Sequence, residues 1–390
     1  MDFSIPEEDV RQRKLFKTFL QENLVPHLSE WFEKGIIPRH FFEAMGRNGW
    51  LGFEAEKNVL RRRSHHQAVM VMEEIARISP GVALAVMVHT DLGLGALDFF
   101  GSDRLKESYG HHAVRGELLF CLGNSESTAG SDVAGIAMNA EKVAGGWLLT
   151  GSKAYVSNAL ISDLALVTAV SDPEAERNQR LSMFLVDLSG DGVRRIKLKK
   201  QVWLPSDLTR ITLNKVFVPD DHLLGERGRG LQQVLSLFNH SRVHFSALTL
   251  GTAVGALELA LDHGDKRKVF GEKIWAFQAK AFEAADCWAR IEAVRLLLLK
   301  ACWAMEHQDD FRLESSVAKY LAVETARRVT EWAADIFGAS SVIFDHPVHK
   351  FPMDAWAASI GEGTQDVQKL VIFREMMKRR TAARQMERSG

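Results

Sequence analysis

The chain has 390 residues, 46% of them hydrophobic, and a formal net charge of -1. That length exceeds one ordinary core and implies two or three domains. The near-neutral balance excludes a dedicated nucleic-acid or membrane-surface binder, since either needs a basic excess.

The acidic start, Met1-Asp-Phe-Ser-Ile-Pro-Glu-Glu8, has no charged-then-apolar leader pattern, and no stretch approaches the roughly 20 apolar residues of a membrane span. The three cysteines, Cys121, Cys287 and Cys302, lack Cys-x-x-Cys spacing, which argues against a disulfide framework or structural zinc. The expectation is a cytoplasmic protein beginning at Met1.

Residues 7–119 read as helices. Apolar residues recur at helical spacing in Val10, Phe16, Phe19, Leu20 and Leu24, then in Phe41, Phe42, Met45 and Trp50, and again through 67–77 and 82–100. Arg61-Arg-Arg63 with His65-His66 reads as a solvated face. Gly93 and Gly95 weaken a helix by about 1 kcal/mol each and leave room for a neighbour or a ligand.

From about 118 the period changes to two. A hairpin is predicted around Gly145-Gly146, with further strands at 164–170, 183–186, 193–198 and 211–218. Gly225, Gly228 and Gly230 have no βαβ context and read as a linker rather than a phosphate loop. Long amphipathic helices follow at 229–264, 276–307, 312–337 and 364–379. The predicted fold class is a multidomain α+β protein. It comprises an N-terminal helical domain (1–119), a small β-barrel or sandwich (120–226) and a C-terminal four-helix bundle (227–390).

Three stretches carry chemistry. Cys121-Leu-Gly-Asn-Ser-Glu-Ser-Thr-Ala-Gly-Ser-Asp132 interleaves hydroxyls with glycines, as in a plain Ser/Gly loop or one whose N–H groups bind an electron-rich ligand. Gly151-Ser-Lys-Ala-Tyr-Val-Ser-Asn158 puts an aromatic and a hydroxyl two apart, on one face if extended, where they could stack on a planar ring. Ser359-Ile-Gly-Glu-Gly-Thr364 holds a carboxylate between two glycines. In an apolar pocket Glu362 would be raised toward the range of a general base; otherwise it meets the dipole of the following helix. Fourteen histidines include no His-Glu-x-x-His spacing, so no metal is expected; His346 and His349 read as surface or interface residues.

Together these stretches closely resemble the acyl-CoA dehydrogenase family, whose pattern is Thr-Glu-Pro-x-Ala-Gly-Ser-Asp, Gly-x-Lys-x-Trp-Ile-Thr/Ser-Asn and an aromatic before Glu-Gly-Thr. The likeness extends to Met1-Asp-Phe-Ser4, Val216-Phe-Val-Pro219, Leu223-Leu-Gly-Glu226, Arg267-Lys-Val-Phe-Gly271 and Phe277-Gln-Ala279. It implies an FAD-dependent α,β-dehydrogenase of acyl-CoA or acyl-carrier-protein thioesters, with Glu362 as α-proton base and electrons leaving to an electron-transferring flavoprotein. By the same resemblance Leu122, Asn124, Ser125, Gly130 and Ser131 line the flavin, with Tyr155, Val156 and Ser157 on its other side, and Thr364 and Asp366 also contact FAD. Ser131, Asn239, Arg242 and Gly363 meet the substrate. Arg267, Phe270, Gln278, Asp335 and Gly338 reach the FAD of a neighbouring subunit, in a homotetramer or homodimer.

The sequence departs from the family at several places. Ser125 and Ser127 replace Thr and Pro, Tyr155 replaces Trp, Asp335-Ile-Phe-Gly-Ala-Ser-Ser341 replaces Gln-x-x-Gly-Gly-x-Gly, and Met353 stands where Arg precedes Asp. Ser241 occupies the position where some branched-chain members carry their base, which leaves the carboxylate at 362. Gly361 stands where most members have a bulky aromatic, and with Gly93 and Gly95 it predicts a preference for branched, cyclic or bulky acyl groups. A flavin oxidase or monooxygenase of the same fold and a non-catalytic flavoprotein partner are the alternatives.

Overall fold

The computed structural model describes residues 7–344 and 346–389; the Met1–Ser4 part of the family likeness lies outside them. The chain forms two compact units, Met1–Val71 with Leu84–Ser241 and Met72–Ala83 with Arg242–Gly390.

In the first unit, α1 (Glu7–Asn23) buries Phe16, Phe19 and Leu20 at the predicted spacing, while Val10 is exposed. After α2 (Leu28–Lys34), α3 (Arg39–Arg47) buries Phe41, Phe42 and Met45. The predicted all-helical run is then interrupted by an antiparallel hairpin, β1 (Phe53–Glu56) and β2 (Val59–Arg62). Its four-residue strands, each half apolar and half polar, are too short for a period to be legible. Arg62 also departs from the expected solvated face. Its side chain is only 10% exposed, pairs with the buried Asp91 and lies 4.4 Å over the Phe53 ring. Burying an arginine is tolerated here because its charge is paired.

Helices α4 (His65–Ile78) and α5 (Pro80–Met87) lead into a π-helical stretch, Val88–Leu94, followed by α6 (Gly95–Phe100) and α7 (Asp103–Val114). The π-helical stretch packs on the first strand of the sheet. His89 is fully buried between two backbone groups, its Nε2 3.0 Å from Ala113 O and its Nδ1 3.3 Å from the Phe120 N–H. That geometry uses a neutral ring, and burial lowers the His89 pKa to about 4. An added Cβ on Gly93 would lie 2.3 Å from Phe120 Cβ, and one on Gly95 3.6 Å from Leu237 Cδ1. The room beside Gly93 is therefore taken by Phe120, which removes Gly93 as support for a widened acyl pocket, whereas a Cβ at Gly95 would make only ordinary contact.

The sheet has eight strands: β3 (Phe120–Gly123), β4 (Asn139–Val143), β5 (Gly146–Ser157), β6 (Leu164–Val170), β7 (Leu181–Asp187), β8 (Val193–Lys197), β9 (Leu208–Pro219) and β10 (Leu223–Leu224). Their order is β10-β7-β6-β4-β5-β9-β8, with β3 parallel to β6 in the register Phe120↔Leu164 to Gly123↔Val167. The predicted hairpin joins β4 and β5, and Gly145 takes the left-handed turn position at φ 76°.

The second unit is helical. It contains most of α8 (Gly230–Lys266), the small hairpin β11 (Lys268–Val269) and β12 (Glu272–Lys273), then α9 (Gln278–His307), α10 (Arg312–Phe337), α11 (Lys350–Ala357) and α12 (Gln365–Ser389). The four long helices fall where periodicity placed them. Gly251 and Gly255 let α8 approach the backbone of α4, since a Cβ there would stand 2.3 and 2.2 Å from Glu73 O and Arg77 O.

Pro80–Phe100 and Gly230–Lys266 are long and apolar enough to cross a bilayer, contrary to the sequence expectation. However, 89% and 83% of their apolar windows are buried inside the protein, as in core helices.

Candidate active site

The first unit brings two of the three chemical stretches side by side. Where β5 passes the loop after β3, the Ala154 N–H donates to Ser125 O at 2.9 Å. Lys153 is fully buried and reaches across to Asn124 O at 3.0 Å and Glu126 Oε1 at 2.8 Å. Glu126 also accepts the Ala137 and Met138 N–H groups at 2.9 Å each, and Asn124 Oδ1 accepts from Thr168 Oγ1 at 2.9 Å. Burial lowers the Lys153 pKa to about 8 against the pull of Glu126; burial raises Glu126, but Lys153 and the two N–H groups bring its carboxyl below the usual range. A buried, multiply bonded pair of this kind fixes the loop conformation.

On that frame Leu122 and Ser125 are half-buried, Asn124 is buried, and Gly130 and Ser131 are exposed. A side chain at Gly130 would meet nothing within 4 Å. The register slips between Lys153 and Val156, and in that bulge Tyr155 holds φ 58° with its ring 63% exposed. A left-handed tyrosine is strained, and here no burial of the ring offsets the strain. Ser157, two residues on, is half-buried, whereas the Val156 side chain is buried in the core and leaves only its backbone for a ligand. An uncovered aromatic beside an open glycine loop fits a planar cofactor such as a flavin.

The second unit holds the carboxylate. Glu362 and Gly363 take φ 55° and 85°, so the glutamate itself occupies the left-handed position of the turn. Three buried donors grip the turn's carbonyls. Gln368 Nε2 lies 3.0 Å from Glu362 O and 3.2 Å from Gly363 O, Lys319 Nζ is 2.8 Å from Gly363 O, and Arg242 Nε is 3.5 Å from Glu362 O. Thr364 caps α12 by accepting the Val367 N–H at 3.3 Å, and Asp366 is exposed in its first turn. Arg242 is lowered from the usual arginine range by burial, opposed by the Glu362 charge. Half-buried Asn239 lies three residues before it on α8.

The remaining candidates sit on other elements. Phe270 is 95% exposed at φ 52° on the tip of the β11–β12 hairpin, flanked by exposed Arg267, and exposed Gln278 opens α9. Exposed Asp335 lies in the last turn of α10 and Gly338 ends that helix at φ 57°.

Comparison with known proteins identifies the family. "Acyl-CoA dehydrogenase, N-terminal domain" matches residues 6–117, the middle domain 121–216 and the C-terminal domain 228–377. A probable acyl-CoA dehydrogenase of Bacillus subtilis, YngJ, is 30% identical over 97% of this chain and 100% of its own. The chain belongs to the acyl-CoA dehydrogenase family. It is accordingly an oxidoreductase, with FAD as its cofactor. The caffeyl-CoA reductase-Etf complex subunit CarC of Acetobacterium woodii is 29% identical over 96% of this chain and 99% of its own. The structure of butyryl-CoA dehydrogenase from Megasphaera elsdenii superposes with a TM-score of 0.92 at 28% identity, over 97% of this chain and 100% of that one.

Sequence reasoning missed the supports of the candidate site: Glu126 and Lys153 under the loop after β3, Gln368 and Lys319 under the Glu362 turn. Lys319 did leave a signal. It is the lysine inside an otherwise apolar or small stripe of α10, with Ser315, Ser316, Ala318, Ala322 and Val323.

Proposed function

We propose that the enzyme converts an acyl-CoA or acyl-carrier-protein thioester to the 2-enoyl thioester, with Glu362 removing the α-proton. The observation that carries this reading is Glu362 itself, held in a left-handed turn by buried donors that bind its carbonyl and the next. A turn fixed in this way leaves the carboxylate, rather than the backbone, as the group that can move a proton. The Glu362 N–H, in the same rigid turn, is suited to stabilise the oxyanion that develops on the thioester oxygen. Bound FAD supplies the acceptor for the β-hydride. Leu122, Asn124, Ser125, Gly130, Ser131, Tyr155 and Ser157 would hold it, with Val156 acting through its backbone, and Arg242, Asn239 and Gly363 would meet the thioester.

An electron-transferring flavoprotein as electron acceptor is supported by likeness to an Etf-complex subunit. A second subunit is supported by the bare Phe270 ring beside Arg267, a surface that a neighbour's FAD would cover. A bulky acyl group now rests on Gly361 and Gly95, without Gly93. A cytoplasmic location rests on three cysteines that are buried thiols.

Glu362→Gln tests the reading, since it keeps size and backbone. The variant should hold FAD and bind acyl-CoA, yet show flavin bleaching by acyl-CoA at least ~100-fold slower in anaerobic stopped flow. Bleaching at the wild-type rate would remove Glu362 as the base.

A further inference from the structure

Lys319 leaves the N-terminal third of α10 with its whole side chain buried. A buried ammonium ordinarily needs a hydrogen-bonded carboxylate. Here its partners are two neutral oxygens, Gly363 O at 2.8 Å and Gln365 Oε1 at 3.0 Å. Gln365 is itself held, donating to Tyr320 O and Glu324 Oε1 at 3.1 Å each. Around this group the charges are Arg242 from α8, Glu362 from the turn, Glu324 through Gln365, and Lys369 of α12, whose Nζ lies 5.7 Å over the Tyr320 ring.

We infer that Lys319 is a positioning residue for the dehydrogenation, its charged hydrogen bonds fixing the turn that aims Glu362 while its charge balances the ionised carboxylate. The inference rests on Glu362 being the base. Burial first, and then the Arg242 charge, lower Lys319 to about 7, while the Glu362 carboxylate opposes them. Each group therefore senses the charge of the other. By the same coupling, a positive Lys319 favours the ionised form of Glu362.

The geometry separates two contributions. Hydrogen bonds from Nζ to the Gly363 carbonyl and the Gln365 amide tie α10 to the middle of the Glu362–Thr364 segment and to the residue that follows it, so losing them frees the turn. Misplacing a reacting group by about 1 Å costs on the order of 100-fold in rate. Losing only the charge leaves the turn in place but raises the pH at which Glu362 ionises.

Lys319→Met, which removes donor and charge together, should lower kcat about 100-fold with KM changed less than about twofold. FAD content should hold, and the acid limb of kcat/KM should move to higher pH. Lys319→Arg, which keeps donors and charge, should restore at least ~10-fold of the loss and return the limb toward the wild-type position. Lys319→Gln, which keeps a donor without the charge, should shift the limb with a smaller loss of kcat. It decides the matter alone should the Met chain fail to fold.

An acid limb at the wild-type pH in the folded Gln or Met variant overturns the inference, as does a Met variant whose loss is fully explained by missing FAD. Glu362→Gln is measured in parallel. If it stays active, the base assignment has failed; if it is inactive while the Lys319 variants behave as wild type, only the role of Lys319 has failed.

Discussion

Alanine at Gly93 is expected to destabilise the protein and loosen its hold on FAD, although the position touches neither the cofactor stretches nor Glu362. Its Cβ would stand 2.3 Å from Phe120 Cβ, 3.0 Å from Cγ and 3.2 Å from Cδ2. Carbon atoms settle at about 3.5–4.0 Å, so one partner must retreat by more than ~1 Å. Phe120 has nowhere to go. It is fully buried, its N–H is bonded to His89 Nδ1, and its strand is registered against β6. Overpacking of this kind costs about 1–3 kcal/mol. The same strand runs on into Leu122–Ser125, so its displacement is delivered to the loop proposed to hold the flavin. Calorimetric unfolding with and without added FAD, together with flavin content per chain, gives both readouts. Phe120→Leu in the same chain should recover part of the loss, because neighbouring substitutions are not additive. If Gly93→Ala had wild-type stability and FAD content but altered acyl-chain preference, Gly93 would face a ligand and this packing argument would be wrong.

His89 should make the first unit acid-sensitive. Its pKa lies near 4 when folded against the ordinary 6.5, so between those values the unfolded chain takes up a proton that the folded one refuses. The contribution is intact above pH 6.5 and is lost as pH falls toward 4, by about 3 kcal/mol. His89→Gln, which can still accept from Phe120 and donate to Ala113, should flatten that part of the curve of denaturation midpoint against pH; an unchanged slope would acquit His89. Tyr155→Gly relieves a left-handed tyrosine whose ring is mostly exposed, so stability should be unchanged or higher by up to about 1 kcal/mol. FAD binding, followed by fluorescence titration, should weaken. Loss of stability without loss of FAD would mean that the ring serves the protein core.

The sequence by itself determined the element types and the chemical stretches. The spacing of Ile291, Val294, Leu298 and Met305 identifies a long helix because one face of a 3.6-residue period must be buried, and these side chains are. The alternation in Ile211–Leu213 and again in Val216–Val218 identifies a strand for the corresponding reason, with Ile211, Leu213, Val216 and Val218 all buried and a bulge at Lys215 between the two runs. The three chemical stretches, together with the further matching stretches in the right order along the chain, were enough to name the family. Tertiary structure alone decided what occupies the space beside a glycine, since sequence gives the absence of a side chain and never the identity of its neighbour: Phe120 fills the gap at Gly93. It alone decided that Arg62 is largely buried, because its partner Asp91 lies 29 residues away. And it alone assembled the supports of the site. Lys319 and Gly363 are 44 residues apart and Lys153 and Glu126 are 27 apart, and no local periodicity records that a charge on one element will be satisfied by the backbone or carboxylate of another.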